Sequence, residues 1–107
     1  MKWPERLPVD GFQMELRFGK TDLTTATHKG EFVSENVPEP LMIVRDDMSE
    51  EFTASTVYHE FGHAFLYMTD LGQLLGLDYA TEEVFCTAFA RCVKDLFEHL
   101  IENKAYE

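Results

Sequence analysis

Residues 49–68, SEEFTASTVYHEFGHAFLYM, decide the fold because their pattern predicts one long helix. Ser49 is a suitable N-cap, and the two glutamates that follow it suit the positive end of a helix dipole. Neither glycine nor proline interrupts the stretch before Gly62. The helix is therefore predicted to run from Ser49 to about Met68.

Two histidines on this helix predict a metal site. His59 and His63 are four residues apart, so they project from one face on successive turns and can bind one zinc ion. Glu60 follows the first histidine, which places its carboxylate beside a metal-activated water, where a general base is needed. The apolar flanks predict a buried helix, in which unpaired polar groups would be costly. Gly62 costs about 1 kcal/mol relative to alanine, which the close approach of another backbone would explain.

The residues before this helix predict a small sheet. Residues 1–10 contain two prolines and are predicted to be an irregular N-terminal arm. Residues 12–18 alternate between apolar and polar, as in a strand, and the threonine-rich segment that ends at residues 32–33 is a second candidate. Residues 41–44 form a short apolar run typical of a buried strand. We expect an antiparallel sheet of about three strands.

The residues after the helix predict a loop and a second, long helix. A loop with one possible helical turn should cover residues 70–78, and the second helix should start near Thr81. Both cysteines lie in this helix and are expected to be reduced core thiols. Its apolar stripe is expected to be core and consists of Phe85, Phe89, Cys92, Leu96 and Leu100, flanked by Val84, Ala88, Val93 and Phe97. The predicted class is α+β, with residues 1–107 as one minimal domain.

Charge and hydropathy limit the partners. The chain has 107 residues and a net charge of -11, from 20 acidic and 9 basic residues. Such a field repels phosphate backbones and anionic lipids, so we expect no nucleic-acid or membrane partner. The charge itself is expected to form a solvated acidic surface, and attraction to a basic peptide or protein is the alternative. No stretch approaches the roughly 18 apolar residues of a membrane span, and the polar start lacks the apolar core of a signal peptide. These features predict a cytoplasmic protein.

A catalytic zinc site usually has three protein ligands, so one more must come from elsewhere in the chain. Asp70 follows His63 too closely to return to the metal, and Glu98 lies about four turns into the second helix. Glu82 and Glu83 remain, at the start of a helix that must pack against the first. Helical register favours Glu83, because Glu82 shares its side with apolar residues, but Glu82 stays an open alternative.

The segments TVYHEFGHA at 56–64 and EVFCTAFA at 83–90 resemble the gluzincin peptidases. In its size and in its predicted order of a small sheet, a motif-bearing helix and a final helix, the chain is similar to the minigluzincins and to the ImmA/IrrE-like metallopeptidases of bacteria and their phages. The resemblance covers residues 41–97 approximately, and its most specific part is H-E-x-G-H. It implies a zincin-like fold, a Zn²⁺ cofactor and peptide hydrolysis.

The resemblance also implies roles for single residues. His59, His63 and Glu83 would be the zinc ligands, and Glu60 would be the general base. Thr87 stands where gluzincins often carry an acidic residue that supports a ligand histidine, and a hydroxyl is a weaker partner there.

Two functions follow as hypotheses, beside a third in which the same metal site hydrolyses a different substrate. The first is a zinc endopeptidase in which Tyr79 stabilises the oxyanion and an extended substrate pairs with a sheet edge at residues 41–44. The second is a zinc-stabilised interaction module without turnover, which binds a basic or peptide partner. The small size of the chain also suggests a partner subunit that completes the cleft. Tyr58 and Tyr67 are expected to pack, His99 to be exposed, and His28 has no partner signal.

Overall fold

The computed structural model describes residues 3–19, 28–34 and 40–103, and it has an α+β architecture. The predicted order of a small sheet, a motif-bearing helix and a long C-terminal helix is confirmed. The threonine-rich part of the second predicted strand lies outside the described residues. The elements are β1 Arg6–Val9, β2 Phe12–Phe18, β3 Gly30–Val33, β4 Leu41–Val44, α1 Glu50–Met68, α2 Leu71–Leu74 and α3 Tyr79–Glu102.

The sheet is mixed and has four strands in the order β1-β2-β4-β3, so the prediction of about three antiparallel strands is wrong. The outer pairs are antiparallel, whereas β2 and β4 run parallel. The predicted irregular arm contains β1, which joins β2 through a tight turn with positive φ at Asp10 and Gly11. Pro8 is tolerated because β1 is an edge strand, where a missing N–H need not break a ladder.

The proposed docking edge at Leu41–Val44 is also wrong. This strand, β4, pairs with β2 on one side and with β3 on the other, and all four of its residues are buried. Its backbone groups are therefore not available to a substrate. The sheet edge that contacts α1 most closely in this region is β3.

The core lies between one face of the sheet and α1. Alternation along β2 turns Met14 and Leu16 towards α1, where they meet Val57 and Ala64. The Ser49 hydroxyl accepts the Phe52 N–H at 3.2 Å, so α1 begins as predicted. Among the described residues, no helix has both the length and the apolar character that a membrane crossing needs.

The long helix α3 begins two residues earlier than predicted, because the Asp78 carboxylate caps it by accepting the Thr81 N–H at 2.8 Å. Most of its apolar stripe is not core, contrary to the prediction. Only Cys86 and Ala90 are buried along this helix, and Cys92 is exposed. The reason is that α3 packs mainly against α1 and not between two layers. Four aromatic rings pack together where the two helices meet, with neighbouring ring centroids 5.8 to 6.4 Å apart. Two belong to α1, Phe61 and Phe65, and two to α3, Phe85 and Phe89.

The close approach of α1 and α3 depends on Gly62. A Cβ at this position would lie 3.0 Å from Cys86 Sγ and 3.3 Å from Cys86 Cα. The prediction that another backbone approaches α1 here is therefore confirmed. This contact brings the first turns of α3 to the two histidines.

Gly62→Ala is expected to lower the unfolding free energy of the metal-free protein by about 1–3 kcal/mol. Overpacking against Cys86 should outweigh the gain of about 1 kcal/mol in helix propensity. Gly72→Ala is the matched control, because its Cβ would meet Leu66 Cβ at an ordinary 3.5 Å. Urea unfolding measures both variants, and equal stability of the two would contradict the role given to Gly62.

Candidate metal centre

Three side chains from two helices converge at the centre. His59 and His63 lie on successive turns of α1, with ring centroids 5.1 Å apart. Glu83, in the second turn of α3, reaches both rings: its Oε2 lies 3.3 Å from His59 Nε2 and its Oε1 lies 2.7 Å from His63 Nε2. The structure thus brings together the three residues predicted as ligands.

Glu82 occupies a different position around His63. Its Oε2 lies 2.5 Å from His63 Nδ1, on the side of the ring away from the atom that Glu83 contacts. When Glu82 is ionised and the ring is neutral, the proton lies on Nδ1, because a carboxylate can only accept, and Nε2 then carries the lone pair. This is how carboxylates orient metal-binding histidines in proteins.

The supporting carboxylate was not predicted from the sequence. Thr87, expected as a weak partner for a ligand histidine, is exposed, and Glu82 supports His63 instead. One signal could have pointed to it. Adjacent residues of a helix differ by about 100° in direction, so two consecutive acids can reach two different atoms of one facing ring.

The donor set fits a cation. With Glu83 ionised and both rings neutral and protonated on Nδ1, the two Nε2 atoms and the carboxylate are all acceptors, and they would repel one another without a cation between them. Two imidazole nitrogens and a carboxylate are a common set for zinc. Potential ligand atoms of His59, Glu60 and His63 also lie within 4.8 Å of one another.

A proton can take the place of that cation on His63. Burial lowers the pKa of His63. The hydrogen bond to Glu82 and the charges of Glu60 and Glu83 raise this pKa by more than burial lowers it, so the net change is upward. The pKa of His59 is lowered, chiefly because burial disfavours its charged form. A metal ion that binds His63 at low pH would therefore have to displace a proton from it.

Glu60 lies between the histidines and the edge strand β3. Burial raises the pKa of its carboxyl to about 7, although the positive charge of His63 and a hydrogen bond from the Phe32 N–H act in the opposite direction. Gly30 permits this approach, because a Cβ there would lie 2.7 Å from Thr56 Cγ2 and 3.2 Å from Glu60 Cγ. The carboxylate is held by strand and helix together, close to the histidine atoms that could hold a metal.

The raised pKa of Glu60 predicts a pH dependence of stability in the metal-free protein. Above its ordinary value of 4.5 the unfolded chain loses this proton first, so the unfolding free energy should fall as the pH rises to about 7. The loss should be at most about 3 kcal/mol. Urea unfolding with chelator at pH 5 and pH 7 should show a smaller loss for Glu60→Gln than for the unchanged protein. An equal loss in both would contradict the burial of a titrating Glu60.

The centre opens into a groove of about 1020 Å³. Phe52 and Lys29 line one end, where the Lys29 ammonium lies 5.4 Å from the centre of the Phe52 ring. Tyr67, Asp70 and Tyr79 line the other end. The groove therefore extends along α1 on both sides of the histidines.

Two groove residues differ from expectation. Tyr67 was expected to pack, but 55% of it is exposed, and its ring lies 5.8 Å from that of Phe32. His28, for which no partner was predicted, also lines the groove, with Nδ1 2.9 Å from Glu31 Oε1. Their positions depend on how β3 packs against α1, and local sequence patterns do not predict this tertiary contact.

Of the other aromatic and histidine predictions, those for Tyr58 and His99 agree with the structure, and the one for Tyr79 is not tested. Tyr79 lines the groove from the first turn of α3 and is 78% exposed, so its role towards an oxyanion stays a prediction. Tyr58 packs between Trp3 and Phe97, with ring centroids 6.3 and 5.7 Å away. His99 is exposed near the end of α3, as expected.

Comparison with protein-family models, with curated proteins and with solved structures finds no match for this chain. The functional interpretation therefore rests on the geometry of the centre and on its chemistry.

Proposed function

We propose that this protein is a zinc-dependent peptidase with a gluzincin-type site on a zincin-like fold. The observation that carries the proposal is the position of Glu83, whose two carboxylate oxygens contact the Nε2 atoms of both histidines. The hydrogen bond between His63 and Glu82 supports it, because it leaves the opposite nitrogen of the ring for a metal. His59, His63 and Glu83 would hold the Zn²⁺ ion.

The chemistry divides between the ion and the chain. Zinc, when bound, acidifies water and polarises a carbonyl group. Glu60 accepts the proton of the attacking water and passes it to the leaving amine nitrogen. A carboxyl whose pKa lies at about 7 is suited to both transfers. The Tyr79 hydroxyl donates to the oxyanion that forms on the carbonyl oxygen.

The substrate is an extended peptide. Strand β3 is the sheet edge beside Glu60, so a peptide that adds to this edge would pass directly over the centre. The groove continues on both sides of the histidines, which favours cleavage inside a chain over removal of a terminal residue. The net charge of -11 favours basic peptides.

A second function, a zinc-stabilised interaction module without turnover, is favoured by the exposed flank of α3. Phe85 and Leu96 are 36% and 54% exposed there, in a stripe that a partner subunit could cover. We propose a cytoplasmic location for either function, since both cysteines are free thiols.

Metal removal and replacement tests the peptidase proposal. The protein is stripped with a chelator, incubated with a defined peptide library, and then given one equivalent of Zn²⁺. New peptide termini detected by mass spectrometry are expected only after zinc is added. Zinc binding at a ratio of one without any new terminus would instead favour the interaction module.

A further inference from the structure

One end of the groove combines aromatic rings with a carboxylate. The rings of Tyr67 and Phe32 lie 5.8 Å apart and are tilted by 59°, and more than half of Tyr67 is exposed. Asp70 follows three residues later, with its backbone N–H bonded to the Tyr67 carbonyl at 3.1 Å. All three residues line the groove, and together they form what we term the acidic end.

Among the residues that the structure describes, the Asp70 carboxylate has no hydrogen-bond or ion-pair partner. Asp70 stands at the N-cap of α2, where an aspartate usually accepts a backbone N–H, yet its side chain makes no such bond. Its φ of 59° lies in the left-handed region. Within residues 3–19, 28–34 and 40–103, no cationic side chain pairs with it. The carboxylate is therefore exposed to the groove and available to a ligand.

The opposite end of the groove has the opposite charge. Lys29 lies over Phe52 there, and Phe52 precedes Tyr67 by fifteen residues on α1, or about 22 Å at 1.5 Å per residue. The two histidines lie between these ends. A bound peptide would thus meet a basic group at one end and an acidic group at the other. The local charge therefore differs along the groove, and the net charge of the chain does not predict which side chain each end prefers.

We propose that the acidic end is a subsite for a lysine or arginine side chain of the substrate. The inference rests on the proposed function, because it assumes that a peptide lies in the groove. The methylene groups of a long basic side chain pack along the Phe32 ring, and the cation lies over the Tyr67 ring within reach of Asp70. A cation over a ring and a partly solvated ion pair together give about tenfold tighter binding.

The test measures peptide binding without turnover. Zinc-loaded Glu60→Gln protein is titrated into fluorescein-labelled alanine-glycine octapeptides, each with one arginine at a different position. Peptides with norleucine at the same positions are the uncharged comparators. At one position arginine is expected to bind about tenfold more tightly than norleucine. Adding Asp70→Asn should reduce that ratio to about twofold or less, and adding Tyr67→Leu should reduce it to about threefold.

Asp95→Asn is the matched control, since it removes the same charge from an exposed position of α3 that does not line the groove. It should leave the arginine preference unchanged. The subsite is overturned if no position prefers arginine, if no peptide binds, or if Asp70→Asn and Asp95→Asn have equal effects.

The proposed function is judged separately, by cleavage with Glu60 intact. An Asp70-dependent arginine preference without any cleavage would leave the subsite standing and overturn the peptidase. Cleavage without an arginine preference would do the reverse.

Discussion

Glu60→Gln is expected to lower the rate of peptide hydrolysis by about 10²- to 10⁴-fold, the usual contribution of a general base. Glutamine keeps the size of the side chain and can still fill the space beside Gly30, but it cannot take a proton from water. Because the assigned zinc ligands are unchanged, one zinc ion per chain should remain. The measurements are the initial rate on a peptide that the unchanged protein cleaves and the zinc content by mass spectrometry.

Glu102→Gln is the control for this substitution. Glu102 is the last residue of α3, is exposed and does not line the groove, so the rate should not change. A Glu60→Gln protein that hydrolyses peptides as fast as this control would remove Glu60 from the mechanism. Loss of zinc in Glu60→Gln would instead make Glu60 a ligand, which its 4.8 Å cluster with the histidines would allow.

Glu83→Gln is expected to weaken zinc binding by several hundredfold. Zinc sites contribute roughly 10–16 kcal/mol over four ligands, so one ligand accounts for about 2.5–4 kcal/mol, and a charged ligand lies towards the upper value. Glu82→Gln should weaken binding by only about 10- to 100-fold, since it removes a support of His63 and no metal contact. Competition with a chromophoric chelator at pH 7.5 measures both affinities.

The neighbouring positions of these two glutamates make the comparison well matched. Both belong to the start of α3 and both contact His63, so their effects on folding should be similar. If Glu82→Gln lost more affinity than Glu83→Gln, the register of α3 against α1 would be wrong and Glu82 would be the third ligand.

The sequence predicted the parts of the fold that depend on neighbouring residues. Helix α1 carries its own start signal in Ser49, and the alternation from Phe12 to Phe18 is a local property of a strand. Strand β1 was missed because Pro8 argues against a strand unless the strand is known to be at an edge. The parallel pairing of β2 and β4 depends on how the chain connects them, which no periodicity shows.

The same distinction holds at the centre. The spacing of His59 and His63 is a property of one helix, so the sequence alone predicted that the two side chains lie on the same face. Glu83 followed from helical register combined with the assumption that the two helices pack. The contact of Glu82 with His63 and the position of Tyr67 depend on the distance and angle between packed elements, set in part by Gly62 and β3.

The exposure of α3 shows the limit of amphipathic patterns. An apolar stripe predicts that a helix face is covered, but it does not identify the element that covers it. Here α1 covers a narrow line of small residues, Cys86 and Ala90, while Leu96 on the neighbouring flank is 54% exposed.

The central claim is that His59, His63 and Glu83 hold one zinc ion, and a crystal structure of the zinc-loaded protein tests it most directly. Anomalous difference maps on the two sides of the zinc absorption edge locate the ion. The account predicts a single peak about 2.0–2.2 Å from both histidine Nε2 atoms and from a Glu83 oxygen. The Glu82 carboxylate should remain on His63 Nδ1. A peak coordinated by Glu82 in place of Glu83, or no peak between the two helices, would contradict the claim.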